Sequence, residues 1–188
     1  MRQLTSASPH VIVMVGIPGA GKTTFAARFA DTFDAPYINQ SSITSSYGLD
    51  DKQSAGVVDL LLSELLKTRR TILVEADLDT EKSRAVLIKK IIKAGYKPLV
   101  VWVQTESVEA KRRATRTTTG SKISTQAFDA ALSAFEPPVT REAAIVISGK
   151  HTYASQLKVV LKQLASERPE AKPRPERSRP LPRRTLLQ

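Results

Sequence analysis

Residues 11–30 read VIVMVGIPGAGKTTFAARFA and carry the strongest structural signal in the chain. The apolar run 11–15 is typical of a strand buried inside a parallel sheet. Directly after it, residues 16–23 match G-x-x-x-x-G-K-[ST] at every fixed position. A helix is predicted over 22–33. A strand, a glycine-rich turn and a helix in this order predict a loop that binds phosphate groups.

The residue types of this loop explain the chemistry expected of it. Glycines let the backbone curl so that several N–H groups point at phosphate oxygens, and the following helix adds the positive end of its dipole. Lys22 can reach the β- and γ-phosphates of a nucleotide, and the Thr23 hydroxyl can bind Mg²⁺. The predicted nucleotide contacts are Gly16, Ile17, Pro18, Gly19, Ala20, Gly21, Lys22, Thr23 and Thr24.

Short apolar runs alternate with amphipathic stretches along the rest of the chain up to residue 165. This alternation predicts an α/β fold in which five parallel strands carry helices on both faces. Trp102, inside the run LVVWV, is interpreted as a core residue. The predicted strands are 11–15, 37–39, 71–75, 99–103 and 144–147, and the predicted helices are 22–33, 51–67, 80–94, 107–118, 125–135 and 152–164.

The amino-acid composition excludes several classes of protein. The chain has 188 residues, of which 41% are hydrophobic and 25% charged, as expected for one globular domain. It contains no cysteine, which excludes a disulfide scaffold, a zinc finger and thiol catalysis and fits a cytoplasmic protein. No apolar run approaches the roughly 18 residues that span a bilayer, so no membrane association is expected.

The composition changes sharply after Ala165. Residues 167–188 contain five of the 11 prolines and no apolar periodicity, whereas the formal net charge of the whole chain is +11. We therefore predict a domain over 1–166 and a disordered, basic tail over 167–188. This tail either anchors the protein to nucleic acid or to an acidic partner, or is only a solvated segment.

Acidic residues follow the third predicted strand, in the sequence VEADLD. Ligands of doubly wound folds collect at the carboxyl ends of strands, so Glu75 and Asp77 are candidates to hold Mg²⁺ or contact a substrate. We assign Glu75 to the metal and Asp77 to catalysis. Asp79 is interpreted as a cap of the next helix.

The segment after the second strand, QSSIT, has no carboxylate before Asp50. Kinases that act on a hydroxyl usually place a general base beside the acceptor. Ser41 and Ser42 could hydrogen-bond an acceptor or a nucleotide, although a serine is a poor base at neutral pH. The other interpretation is an ordinary polar loop after an edge strand.

The predicted helix 107–118 is strongly basic. Arg112 and Arg116 share a helix face, and Arg113 neighbours Arg116. Cations of this kind can neutralise the charge of a transferred phosphoryl group when a mobile lid closes. A solvated basic helix face is the alternative. We assign all three arginines to the lid, with residues 117–121 (TTTGS) as its hinge.

These stretches together resemble the polynucleotide-kinase-like group of small P-loop kinases and, more distantly, zeta-toxin-type kinases, which have an AAA_33-type ATP-binding domain. The similarity is carried by GIPGAGKTTFA, YINQSS, VEADLDTEKSRAVLIKKIIKAGY, VVWVQTESVEAKRRATR and FEPP, within residues 11–165. It implies the strand order 2-3-1-4-5, ATP with Mg²⁺ as phosphoryl donor, and an arginine-bearing lid helix. The family's usual aspartate base falls on Ser41, and its usual strand-end aspartate on Glu75.

The sequence thus predicts an ATP-dependent kinase that transfers the γ-phosphoryl group to a hydroxyl. The acceptor is a nucleic-acid 5′-end, a nucleotide or a small metabolite. We expect the residues Lys22, Asp77, Arg112, Arg113 and Arg116 to carry catalysis, Thr23 and Glu75 to hold the metal, and the protein to act as a monomer. A nucleotide-binding switch or scaffold with weak or no transfer is the alternative.

Overall fold

A five-stranded, all-parallel sheet forms the centre of the molecule in a computed structural model, which describes residues 9–116 and 122–166. The strand order β2-β3-β1-β4-β5 confirms the predicted order. Strand β1 lies in the middle, where all six of its residues are buried, as the sequence predicts. The strands are β1 His10–Val15, β2 Tyr37–Asn39, β3 Ile72–Glu75, β4 Lys97–Gln104 and β5 Ile145–Ser148.

Helices cover both faces of this sheet. The helices are α1 Lys22–Phe33, α2 Gln40–Tyr47, α3 Asp51–Leu65, α4 Glu81–Lys93, α5 Ser107–Arg116, α6 Thr125–Ala134 and α7 Tyr153–Ser166. Within the described part of the chain, none of them is long and apolar enough to cross a membrane.

Two apolar cores result from the alternation of side chains along β1. Ile12 and Met14 face a core that α1, α5, α6 and α7 complete, whereas Val11, Val13 and Val15 face α3 and α4. Fully burying one such side chain stabilises the fold by about 1.5–3 kcal/mol. Because α1 is fixed by one of these cores, the loop between β1 and α1 is held at the carboxyl edge of the sheet.

Helix α2 corrects one interpretation, because residues 40–47 form a helix where a polar loop was considered. The Asn39 side chain caps it by accepting a hydrogen bond from the Ser42 backbone N–H at 2.9 Å. Gly48, with φ 62°, ends it in the left-handed conformation. The sequence QSSITSSY has no apolar periodicity, so the caps at its two ends were the available signals.

Two further predictions about single residues are wrong. Thr80, and not Asp79, caps α4, because its hydroxyl accepts a hydrogen bond from the Ser83 N–H. Trp102 is only partly buried and lines a surface cavity of about 440 Å³, where its ring packs against Phe135. The predicted hinge 117–121 and the predicted tail 167–188 lie outside the described residues.

Candidate active site

The loop that joins β1 to α1 is packed tightly against two other segments. Gly19, with φ 74°, lies so close to the Ala110 carbonyl of α5 that a side chain there would overlap it. Gly149, after β5, packs equally closely on the Ala20 carbonyl, which also accepts a hydrogen bond from Thr105 Oγ1 at 2.9 Å. The curled backbone expected from the glycines is therefore fixed by contacts outside the loop.

Lys22 folds back over this loop. Its Nζ donates hydrogen bonds to the Gly16 carbonyl and, at 3.2 Å, to the Ile17 carbonyl. Burial lowers the pKa of Lys22, and the nearby carboxylates of Glu75, Asp77 and Asp79 oppose this shift. The ammonium group thus lies within the loop that the sequence assigns to phosphate.

Glu75 ends β3 and is buried beside the first turn of α1. Thr23 Oγ1 donates to Glu75 Oε1 at 2.8 Å, and the Tyr37 hydroxyl donates to Oε2. The parallel register of β2 and β3 sets Asn39 opposite Glu75. The Asn39 side-chain amide donates to the Tyr37 hydroxyl at 2.9 Å. Burial and the Glu75 carboxylate both raise the pKa of Tyr37. The predicted metal pair Thr23 and Glu75 is therefore in direct contact.

Asp77 is held by Gln40, a residue that sequence reasoning missed. Gln40 Nε2 donates to Asp77 Oδ2 at 2.7 Å, and Gln40 Oε1 accepts from the Asp77 backbone N–H at 3.1 Å. Asp77 is an exposed residue, but the surrounding protein partly desolvates its carboxyl group. This desolvation raises the pKa of Asp77, and the charges of Asp79 and Asp51 raise it further. No sequence motif marked Gln40, because its role depends on the contact between the ends of β2 and β3.

Ser41 and Ser42 lie exposed on the first turn of α2. The Ser42 backbone N–H serves the helix cap at Asn39. The start of α2 nevertheless has a second carboxylate beside it, because Gln40 donates to Asp77 of the segment that follows β3.

The α5 arginines are turned towards Glu109 and the loop after β5. Arg112 Nε and Nη2 donate to the two Glu109 oxygens at 2.8 Å each, and Arg113 Nε shares Oε1 at 2.8 Å. These hydrogen bonds lower the pKa of Glu109 to about 2. Arg113 Nη1 also donates to the Gly149 carbonyl at 3.0 Å, and Arg116 is exposed. Helix α5 therefore contacts the loop between β1 and α1 through Ala110, while Arg112 and Arg113 bind Glu109 and the Gly149 carbonyl and not that loop.

A buried arginine, Arg84 of α4, holds the segment that carries the acidic residues. Its side chain is fully buried and binds Glu142 through Nε–Oε1 at 2.6 Å and Nη2–Oε2 at 3.0 Å. Its Nη1 donates to the carbonyls of Leu78 at 3.0 Å and Asp79 at 3.3 Å. Sequence reasoning missed this pair, because Arg84 lies in a helix with many basic residues and Glu142 is remote in the chain.

The oxygen ligands at this edge suit Mg²⁺. Within residues 9–116 and 122–166, no cluster of three or more His, Cys, Asp or Glu side chains could hold a metal by itself. Mg²⁺ commonly takes one or two protein oxygens and completes its shell with phosphate oxygens and water. The Thr23 hydroxyl and the Glu75 carboxylate, which touch each other, are a donor set of that kind.

Comparison with models of protein families shows which family the chain belongs to. The AAA_33 model, described as an AAA domain, matches residues 11–138. The chain belongs to this AAA domain family. The match contains the phosphate loop, the acidic strand end and α5. None of the curated proteins matches the chain.

Solved structures, two kinases among them, share the fold at low sequence identity. A gluconokinase from Sinorhizobium meliloti 1021 aligns with a TM-score of 0.64 and 17% identity, covering 86% of this chain and 94% of its own. Kti12 from Chaetomium thermophilum, in complex with ADP-AlF3, aligns at 0.66 and 16%, covering 82% and 97%. A sugar kinase from Janibacter sp. HTCC2649 aligns at 0.60 and 20%, covering 84% and 95%. The predicted P-loop NTPase fold is thereby confirmed.

Proposed function

We propose that the protein is an ATP-dependent phosphotransferase that moves the γ-phosphoryl group to a hydroxyl acceptor. The observation that carries this proposal is the placement of three groups at one edge of the sheet. Lys22 lies in the loop, Glu75 bonds to Thr23, and Asp77 is fixed by Gln40. The first two serve the phosphates and their metal, and the third is available to the acceptor.

The loop residues 16–24 bind the triphosphate through backbone N–H groups at the start of α1. On binding, Lys22 Nζ exchanges its two carbonyl acceptors for β- and γ-phosphate oxygens. Charged phosphate oxygens are stronger acceptors than carbonyls, so this exchange favours the bound state. Thr23 and Glu75 would hold Mg²⁺, which would neutralise part of the phosphate charge.

In the transfer step, the acceptor oxygen forms a bond to the γ-phosphorus while the bond from that phosphorus to the β–γ bridging oxygen breaks. ADP leaves, and the proton of the acceptor hydroxyl passes to the Asp77 carboxylate. Gln40 orients this carboxylate through the hydrogen bond to Oδ2. A raised pKa makes Asp77 a stronger base than an ordinary aspartate.

The arginines of α5 complete the site in this proposal. Arg112, Arg113 and Arg116 leave their contacts with Glu109, Gly149 and solvent and turn to the γ-phosphoryl group when the nucleotide binds. The exchange costs little, because exposed ion pairs contribute only about 0–1 kcal/mol.

The test is transfer of label from γ-labelled ATP to a panel of hydroxyl acceptors in the presence of Mg²⁺. Wild-type protein should label an acceptor, and Lys22→Ala should lower transfer by at least about 10²-fold, because it removes a cation at the developing charge. Lys67→Ala is the matched control, since that lysine pairs with Glu64 on the exposed side of α3. Unchanged transfer in Lys22→Ala would refute the assignment.

A nucleotide-dependent switch is the second candidate function. It is favoured by the serines at the usual base position and by the arginines bound to Glu109. A switch binds Mg·ATP without labelling any acceptor. If transfer is absent and Ser41→Asp restores it, then only the base was missing.

The basic tail, which lies outside the described residues, is proposed as an anchor for RNA, DNA or an acidic partner. Its charge predicts affinity that falls steeply with salt. If truncation after Ala165 leaves nucleic-acid affinity unchanged, the anchor is excluded.

A further inference from the structure

A cavity of about 460 Å³ lies between α3 and α4 and reaches Asp77 and Gln40 at the carboxyl edge of the sheet. Its volume is within the range of pockets for small molecules. The walls are mainly apolar, and they are formed by Val58, Leu62, Val74, Leu78, Val86 and Leu87. An occupant therefore contacts apolar side chains along its body and a carboxylate at one end.

Several polar side chains that line this cavity are already paired. Lys90 Nζ donates to the Asp59 carboxylate, and also to the Asp59 carbonyl at 3.1 Å. The Ser83 hydroxyl donates to the Thr80 carbonyl at 2.8 Å, and the Thr80 hydroxyl caps α4. These groups are committed to α3 and α4, so few are left to replace the water that a polar occupant would lose.

The charges of the lining nearly cancel. Among the described residues that form it are two lysines and two aspartates: Lys90 is bound to Asp59, whereas Lys82 and Asp77 are both exposed. A carboxylate or phosphate there would have to take Lys90 from Asp59 or bind the exposed Lys82. Burying an unpaired charge or unbonded hydroxyls costs several kcal/mol, which disfavours sugar acids and polyols.

We infer that the acceptor is a small, uncharged alcohol with an apolar or aromatic body, seated between α3 and α4 with its hydroxyl at Asp77. This inference rests on the proposed transfer reaction and names the class of its acceptor. The alcohol oxygen bonds to the γ-phosphorus as the bond from that phosphorus to the β–γ bridging oxygen breaks, the hydroxyl proton passes to Asp77, and ADP leaves. A nucleic-acid end fits less well, because such sites combine a continuous basic groove with exposed aromatic rings.

A competition between acceptor classes tests this inference. Label transfer and binding with Mg·ATP are measured for 2-phenylethanol, cyclohexylmethanol, gluconate and an oligonucleotide with a free 5′-hydroxyl. The two uncharged compounds should show kcat/KM at least about tenfold above the other two, because pocket contacts discriminate to that degree. Preference for gluconate or the oligonucleotide, or no binding of either uncharged compound, would overturn the inference.

A matched pair of variants places the acceptor. Ala55 is exposed on α3 and lines the cavity, whereas Ala85 is exposed on α4 and does not. Ala55→Trp should lower kcat/KM for the preferred alcohol by at least about tenfold, since an indole fills space that the acceptor needs. Ala85→Trp should leave it unchanged. Equal effects of the two variants would contradict a site between these helices.

The same assays separate failure of this inference from failure of the proposed function. Calorimetric binding of Mg·ATP and its slow hydrolysis by water do not require the cavity, so both should persist in Ala55→Trp. If the wild-type protein does not bind Mg·ATP, the proposed function fails. If Mg·ATP binds and the alcohols neither bind nor accept label, only the acceptor class is wrong.

Discussion

The acidic end of β3 and the helix α5 were both predicted to serve the transfer reaction, and they differ in how far their side chains are fixed in place. Glu75 and Asp77 are fixed by Thr23, Tyr37 and Gln40 within the fold. The α5 arginines instead bind Glu109 and the Gly149 carbonyl. The acidic side of the site is therefore preorganised, whereas the basic side has to exchange partners when a ligand arrives.

Burial explains this difference. The Arg84–Glu142 pair beneath the acidic segment is almost fully enclosed, with side chains 0% and 6% exposed, so neither ion can leave without a large cost. Arg112 is 58% exposed, and an ion pair at such a position contributes little. A triphosphate can therefore compete with Glu109 for an arginine, but nothing competes with Glu142 for Arg84.

The largest effect should come from the acidic side. Asp77→Asn should lower transfer by about 10²–10⁴-fold, because an amide cannot accept the acceptor proton, while Mg·ATP affinity stays the same. Label transfer and calorimetry measure the two quantities. Asp79→Asn in the same segment is the control and should lose far less. Comparable losses in both variants would remove the distinct role of Asp77.

The enclosed ion pair should dominate stability. Arg84→Met leaves the Glu142 carboxylate buried without its partner, so the free energy of unfolding should fall by about 3–5 kcal/mol. Urea denaturation measures this change. The exposed Arg112→Met should alter it by less than about 0.5 kcal/mol. A small loss for Arg84→Met would mean that the acidic segment is held by other contacts.

On the basic side, the double variant Arg112→Ala/Arg116→Ala should lower kcat by about 10²-fold, because two cations are lost near the developing charge. Its melting temperature should stay near that of the wild type, since both side chains are exposed. Single-turnover label transfer and thermal melting test both statements. Full activity in the double variant would support a solvated basic face instead of a lid.

The ionisation of Asp77 and that of Glu142 should change the stability of the fold in opposite directions as pH rises. Asp77 has a raised pKa, so its ionisation lowers stability as pH rises from its ordinary value of 3.8 through the folded pKa. Asp77→Asn should therefore be more stable than the wild type at neutral pH, and equal at low pH. The pKa of Glu142 is lowered, so the stability from its carboxylate is lost as pH falls through the folded pKa. Urea denaturation at a series of pH values from acid to neutral measures both effects. Parallel plots of the free energy of unfolding against pH for wild type and Asp77→Asn would contradict the expectation for Asp77.

The smallest effect should come from the counter-ion of the arginines. Glu109→Gln releases Arg112 and Arg113, so the affinity for Mg·ATP should rise by about two- to fivefold at low salt and less at high salt. Glu64→Gln, which breaks a similar exposed pair with Lys67, is the control. Reduced affinity in Glu109→Gln would show that Glu109 positions the arginines and does not compete for them.

Local signals were enough to predict most of the fold. The apolar run before Gly16 and the periodicity of the helices predicted the parallel sheet and α1 with its observed bounds. The strand order was predicted from the resemblance to a known family. Residues that depend on distant partners were missed. Gln40 acts through Asp77 and Arg84 through Glu142, each across dozens of residues, and neither contact has a local sequence pattern.

The most direct test of the account is a calorimetric titration with Mg·ATP, paired with thermal melting. Wild-type protein should give binding heat and a higher melting temperature, both reduced in Lys22→Ala, because in the proposed site Lys22 and the backbone N–H groups of the loop bind the triphosphate. No heat and an unchanged melting temperature in the wild type would contradict it.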